Sequence, residues 1–270
     1  MKLGIFAKTF AGETPQAVLQ AASGAGFGAV QYNMACSGIG SLPQVVPSAF
    51  AAEVQAAAQA TGVEIAAVSA TYNMIHPDMT RRLAGRASFA AIAAQAGAMG
   101  TRLLTVCSGS CDANDQWRHH PDNGSDAAWV QMLVEFGHLI RIAEVHDVLI
   151  GVEPELANVV DGAVAARRMI DTLASDRIRI VLDPANLFEV DEGRDRVIAE
   201  AVDMLGDRIA MAHAKDRNAD GSFAVAGKGV VDFGHFIGRL KQVGFDGTLV
   251  THGLTASAAA GVAAYLAGLV

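Results

Sequence analysis

Four ionisable side chains stand at the ends of apolar runs: Glu153 in "VLIGVEP", Asp183 in "RIRIVLDP", His213 in "RIAMAHAKD" and His252 in "GTLVTHGL". They are separated by 30, 30 and 39 residues, each interval about one strand–helix unit. An unpaired carboxylate at the buried end of an apolar strand is costly or takes up a proton. A shared dication removes that cost and holds the acids deprotonated. Two carboxylates with two imidazoles suit Mn²⁺, Zn²⁺, Fe²⁺ or Co²⁺ better than Ca²⁺, and Mg²⁺ less well than these. Taken singly, Asp183 reads as a helix N-cap and either histidine as a satisfied core residue. Four such residues at matching depth on consecutive runs favour one divalent metal ion on Glu153, Asp183, His213 and His252.

Eight apolar runs supply these positions: 2–7, 29–34, 64–73, 102–108, 148–154, 177–184, 208–216 and 247–254. Helical patterns lie between most of them. "ETPQAVLQAASGAG" and "FGHFIGRLKQVGF" place apolar residues three and four apart before a glycine stop. Several runs are continuously apolar, as in parallel strands covered on both faces. Eight strand–helix units in 270 residues predict an α/β fold, a (β/α)8 TIM barrel forming a single domain over residues 1–270. In this fold the active site lies at the carboxyl ends of the strands, where the four residues stand. No G-x-G-x-x-G follows the first strand, which disfavours a doubly wound sheet.

A net charge of −8 with no basic run argues against nucleic acid as a partner. "MKLGIFAKTF" is too short and too soon broken by Lys8 to read as a signal peptide. "GLTASAAAGVAAYLAGLV" reads as a packed terminal helix, so no membrane partner is expected. Three cysteines, Cys36, Cys107 and Cys111, do not make a disulfide framework, and a cytoplasmic setting is expected. Cys107 and Cys111 read as structural.

"GVEPE", "LDPAN", "HAKD" and "GKGVVDFGHFIGRLKQVGFDGTLV" resemble the xylose isomerase-like barrel superfamily, and more closely its sugar phosphate isomerase/epimerase group. "TYNMIHPD" (71–78) and "WRHHPDN" (117–123) resemble one branch of that group. The resemblance implies a divalent metal, often Mn²⁺, on Glu, Asp, His and a final Glu from strands five to eight. Glu153, Asp183 and His213 match; His252 stands where the family usually has Glu. In the family's epimerases and ketose isomerases the two glutamates also act as acid and base on opposite faces of the sugar. The exchange therefore lacks its second glutamate here. Asn186 stands after Asp183 where some relatives carry His, and suits a substrate hydroxyl. The superfamily's zinc endonucleases need three metals and several more histidines, and strand four, "TVCSGS", offers none.

The chemistry so implied is proton abstraction beside a carbonyl, through a metal-stabilised enediolate. The expected activity is isomerisation or epimerisation of a sugar, sugar phosphate or cyclitol, with a small-molecule carbohydrate as partner. A lyase or dehydratase of a keto-sugar or inosose, using one base, is the second reading; a non-catalytic sugar-binding barrel is the third. The oligomeric state stays open, a homo-oligomer included. Glu153 is the expected base. Lys215 shares the inward parity of His213 and is a catalytic candidate, against a surface ion pair with Asp216. Glu155 follows Pro154, which ends the strand ladder, and is either a substrate contact or orienting group, or a solvated rim residue. Candidate substrate contacts are Asn73, His76, Trp117, Arg118, Glu155, Asn186 and Asp216. Trp117 and Arg118 lie with His119 and His120 in the long loop 108–126, which reads as a lid.

Overall fold

Every one of the eight apolar runs forms a strand in the computed structural model, which describes residues 1–12, 14–189 and 193–270. These are β1 (Lys2–Phe6), β2 (Ala29–Tyr32), β3 (Glu64–Ser69), β4 (Leu103–Cys107), β5 (Leu149–Glu153), β6 (Ile178–Leu182) and β7 (Ile209–Ala214). A short hairpin, β8 (Asp216–Arg217) and β9 (Phe223–Ala224), follows, and β10 (Thr248–Thr251) is the eighth barrel strand. The barrel closes in the order β1-β10-β7-β6-β5-β4-β3-β2, with all neighbours parallel. The outer helices are α1 (Pro15–Gly24), α2 (Ser48–Thr61), α3 (Met79–Ala96), α4 (Asp126–His146), α5 (Ala163–Leu173), α6 (Arg194–Leu205), α7 (Phe233–Gln242) and α8 (Ala259–Ala267).

The helix starts follow from short polar side chains that accept first-turn N–H groups: Thr14 from Ala17, Asp78 from Thr80, Ser125 from Ala128 and Asp232 from His235. Inside the barrel, Ala67, Leu103, Val181, Met211 and Val250 pack together. That interior is crowded enough to require glycine at position 151. A Cβ there would lie 2.9 Å from Val181 Cγ2 and 3.1 Å from Leu103 Cδ1. The C-terminal segment forms α8, whose Ala259, Val262 and Leu266 are buried. Among the described residues no helix is long and apolar enough to cross a membrane.

All eight strands are shorter than the apolar runs suggest, and the differences in the third and seventh shape the site. The third ends at Ser69, and Thr71 and Asn73 leave the ladder to bind the β4 loop. Thr71 Oγ1 donates to Thr105 O, and Asn73 Nδ2 donates to Ser110 O at 2.8 Å. The seventh ends at Ala214, and Asp216 enters the hairpin instead.

A buried clamp holds the segment after β3. Glu135 on α4 accepts two hydrogen bonds from Arg86 on α3, at 3.0 and 2.6 Å, and one from the Tyr72 hydroxyl at 2.6 Å. Burial, then the Glu135 charge, drives the Tyr72 hydroxyl far above its usual pKa, so it stays a donor. Gly85 makes room for this ring, since a Cβ there would lie 2.2 Å from Tyr72 Cδ2.

Candidate metal centre and its cavity

Glu153 is the last residue of β5, and Asp183 follows β6 directly. His213 lies within β7, and His252 follows β10. One donor atom from each lies within 4.8 Å of the others. His213 Nδ1 is 3.2 Å from Glu153 Oε1 and 3.8 Å from Asp183 Oδ2. His252 Nε2 is 3.0 Å from Asp183 Oδ2, and the two imidazole rings meet edge-on at 4.6 Å.

A residue on the opposite wall decides what His213 can do. Gln31 of β2 donates through Nε2 to Thr105 Oγ1 at 2.9 Å and places its Oε1 2.8 Å from His213 Nε2. With the amide so oriented, His213 donates its Nε2–H to Gln31. Its Nδ1 then faces the Glu153 carboxylate at 3.2 Å and, when unprotonated, brings a lone pair against it. Two acceptors in contact need a proton or a cation between them. The donor set therefore fits a divalent metal, with the imidazole nitrogen already turned toward it. Asp183 divides its oxygens: Oδ1 caps the following turn by accepting from Ala185 N at 3.0 Å, while Oδ2 faces the histidines. The N-cap and metal readings of Asp183 thus use different atoms.

The electrostatics suit ligands. Burial alone would raise the Glu153 carboxyl, but the charge and hydrogen bond of the protonated form of His213, with His252 adding to them, hold it below its ordinary pKa. Burial opposes Asp183 in the same way, and Lys215 and His252 bring it well below the usual carboxylate range. His252 is shifted down, chiefly by its removal from water, which favours the neutral imidazole a metal requires. Lys215 Nζ donates to Asn186 Oδ1 at 2.7 Å, lies 3.5 Å from Asp183 Oδ2 and sits 3.9 Å from the Phe223 ring centroid. Asn186 in turn donates to Glu153 Oε1 at 2.9 Å, tying Glu153 and Lys215 together.

Above these groups opens a cavity of about 540 Å³. Glu153, His213, Lys215 and His252 line it, joined by Glu155 and Trp117. Burial pushes Glu155 up to about 7, with Glu153 and Asp183 adding to the rise and Lys215 opposing it. Asp183 and Asn186 are each 1 % exposed and lie behind this lining.

Four expected substrate contacts, Asn73, His76, Arg118 and Asp216, do not line this cavity. Asp216 is fully buried; its carboxylate accepts from the backbone N–H groups of Arg217, Gly227, Gly229 and Val231. It holds the loop after β7 rather than a substrate. His76 uses both ring nitrogens, accepting from Asp78 N and donating to Ala113 O. Asn73 spends its amide on Ser110 and Ile75. Arg118 points outward, its side chain 60 % exposed beside Asp112. The loop 108–126 is pinned through Asn123 and Asn158, which bond to Cys111 N, Ala157 O, Gly109 N and Gln116 O. All three cysteines are free; Cys107 is buried beside Glu153, and burial raises its thiol well above its usual pKa.

Sequence reasoning missed Gln31, Lys8, Gln116 and Phe223, all of which line the cavity. Gln31 carries a signal, being an amide inside the apolar run "AVQYNM". Phe223 carries none, because the β8–β9 hairpin alone brings it over Lys215. We expect Gln31→Leu to weaken metal binding by about 10–100-fold, the usual cost of losing an outer-shell partner of a ligating histidine. Titration against a chelator of known affinity measures this, and unchanged affinity would show that His213 needs no such support.

A family model described as xylose isomerase-like TIM barrel matches residues 19–265. Among solved structures, 3-keto-D-glucoside 4-epimerase YcjR from E. coli superposes with a TM-score of 0.78 at 19% identity, over 99% of each chain. The IolI protein with a bound zinc atom gives 0.75 at 16% identity, over 99% of this chain and 96% of that one. The probable 3-DHS dehydratase AsbF of Bacillus anthracis, involved in petrobactin synthesis, gives 0.76 at 11% identity, over 99% of each chain. No curated protein sequence matches this chain. At these identities the structural neighbours establish the fold, and their activities are their own.

Proposed function

The chain belongs to the xylose isomerase-like TIM barrel family, and from that premise we propose that it is a divalent-metal-dependent isomerase or epimerase of a sugar or related polyol. The observation that carries this reading is the convergence of Glu153, Asp183, His213 and His252 within 4.8 Å at the base of a cavity holding a further carboxylate, Glu155. An epimerase and a zinc-bound protein among the structural neighbours support the class.

Glu153, Asp183, His213 and His252 would hold the ion, with Mn²⁺ the first expectation and Zn²⁺, Co²⁺, Fe²⁺ or Mg²⁺ the others. Bound there, it supplies Lewis-acid stabilisation of the negative charge that develops on a substrate carbonyl oxygen. Glu153 takes the proton from the adjacent carbon, with Asn186 fixing its carboxylate. Lys215, steadied between Asn186 and the Phe223 ring, donates a hydrogen bond to a substrate oxygen. Glu155, raised by burial, exchanges a proton near neutral pH and serves as the partner acid. Trp117 offers an exposed ring at the mouth for a sugar face.

One observation favours the second reading. Among the described residues lining the cavity, the carboxylates are Glu153 and Glu155, both from the end of β5. Neither comes from β10, where His252 instead bonds to Asp183. Proton transfer on a single face fits an aldose–ketose isomerisation, or loss of water with Glu155 protonating the leaving hydroxyl. Metal-loaded protein incubated in D₂O with ketoses and inososes separates these. Deuterium beside the carbonyl with an isomeric product is expected; deuterium with an unsaturated product would select the lyase. Neither product nor exchange across the panel would overturn both. His252→Ala should weaken metal binding by more than the roughly 10–100-fold of an outer-shell change. Retained metal with lost turnover would make His252 an acid/base group instead.

A further inference from the structure

A second cavity of about 360 Å³ adjoins the first, and the two share Leu42, Thr71 and Gln116. The second cavity therefore lies beside the first, against Leu42, Thr71 and Gln116, and reaches the start of α3 at Arg81. Three of the polar side chains lining it, exposed Gln44 and Arg81 and half-buried Gln116, keep donors or acceptors that the described residues do not engage. Gln44 and Gln116 make no side-chain hydrogen bond among the described residues, and Arg81 forms no ion pair there. The polar neighbour of Arg81 is His76 Nε2, at 3.4 Å from its Nη1. That nitrogen already donates to Ala113 O, because His76 Nδ1 accepts from Asp78 N. It has no lone pair left for the guanidinium. Asp78 feels the Arg81 charge, yet its Oδ1 is occupied by Thr80 N and it makes no ion pair with Arg81. The adjacent Arg82 shows the contrast: it donates to His76 O at 2.6 Å and is structural.

A guanidinium with free donors, lining the same cavity as two unbonded amides and next to the reaction cavity, matches a planar or tetrahedral oxyanion. We propose that this groove is the subsite for the far end of the substrate, and that this end carries a carboxylate or phosphate group. The inference rests on the reading of the main cavity as a sugar site and narrows its substrates to anionic sugars. The walls that set the geometry are rigid: Tyr72 is held by Glu135, and Ser88 bonds to Leu42 O at 2.9 Å.

D-fructose, D-fructose 6-phosphate and D-fructuronate, titrated calorimetrically into the metal-loaded protein, form a matched set differing at one end. One of the anionic pair should bind about 10–100-fold more tightly than the neutral sugar, as a charge-assisted hydrogen-bonded pair provides. Which one does so identifies phosphate or carboxylate. Arg81→Gln should erase the preference. Lys8→Gln, removing another rim cation that forms no ion pair among the described residues, should retain the ratio. No anionic preference, no binding by any probe, or a preference that survives Arg81→Gln and is lost in Lys8→Gln would overturn the proposal. Deuterium exchange on neutral sugars alone would uphold the activity while the subsite fails. Arg81-dependent anion binding by protein that exchanges no proton would do the reverse.

Discussion

Glu153→Gln is expected to lower turnover by about 10²–10⁴-fold, the usual contribution of a positioned proton-transfer group, and to reduce bound metal. The substitution preserves shape and one oxygen, so Asn186 keeps its acceptor. It removes the negative charge that His213 and His252 stabilise and that a dication would share. The amide also cannot take a proton from carbon. Metal per chain, measured by atomic emission after dialysis, and deuterium incorporation at the substrate carbon report the two roles separately. Undiminished metal content would remove Glu153 from the ligand set. Full metal with full exchange would remove it as base. A cooperative unfolding transition close to that of the parent excludes misfolding as the cause.

Asp216→Ala is expected to destabilise the fold by at least about 4 kcal/mol, since it leaves four backbone donors unpaired and each unpaired buried donor costs about 1–3 kcal/mol. The Asp216 Oδ1 atom accepts from Arg217 N and Val231 N, and Oδ2 from Gly227 N and Gly229 N, at 2.8–3.0 Å. Gly229 has no side chain because a Cβ would lie 2.3 Å from Arg217 O and 2.4 Å from Asp216 Oδ1. The clasp thus explains the "GKG" spacing that leads toward α7. The isosteric Asp216→Asn should also destabilise, because its NH₂ must face two N–H donors. Urea unfolding measures both variants. An asparagine variant as stable as the parent would contradict the carboxylate clasp. Because the same loop carries Phe223, which rests against Lys215 and Arg217, activity should fall along with stability.

These two residues show how differently sequence speaks about site and scaffold. Glu153 is legible because an acid ends an apolar run, and a run of that kind makes a strand whatever surrounds it. By its position after "HAK" Asp216 reads as a substrate contact. Its true partners lie 11 to 15 residues onward in a loop without periodic pattern. His76 is alike in one respect: its ring nitrogens are claimed by its own loop and by the chain after β4, partners that no local pattern reveals.

By itself the sequence determined the eight parallel strands, the barrel class and the depth of four metal-ligand candidates. Each rests on local hydrophobic pattern and on the near-constant length of a strand–helix unit, both of which survive without knowing any distant contact. Only the tertiary structure decided that Gln31 engages His213 Nε2 and leaves Nδ1 toward Glu153, that Asn186 joins Glu153 to Lys215, and that a second cavity lined by Arg81 adjoins the first. Those features are hydrogen bonds and shared walls between residues far apart in the chain. They depend on barrel closure and on the paths of irregular loops, for which no periodicity exists to be read.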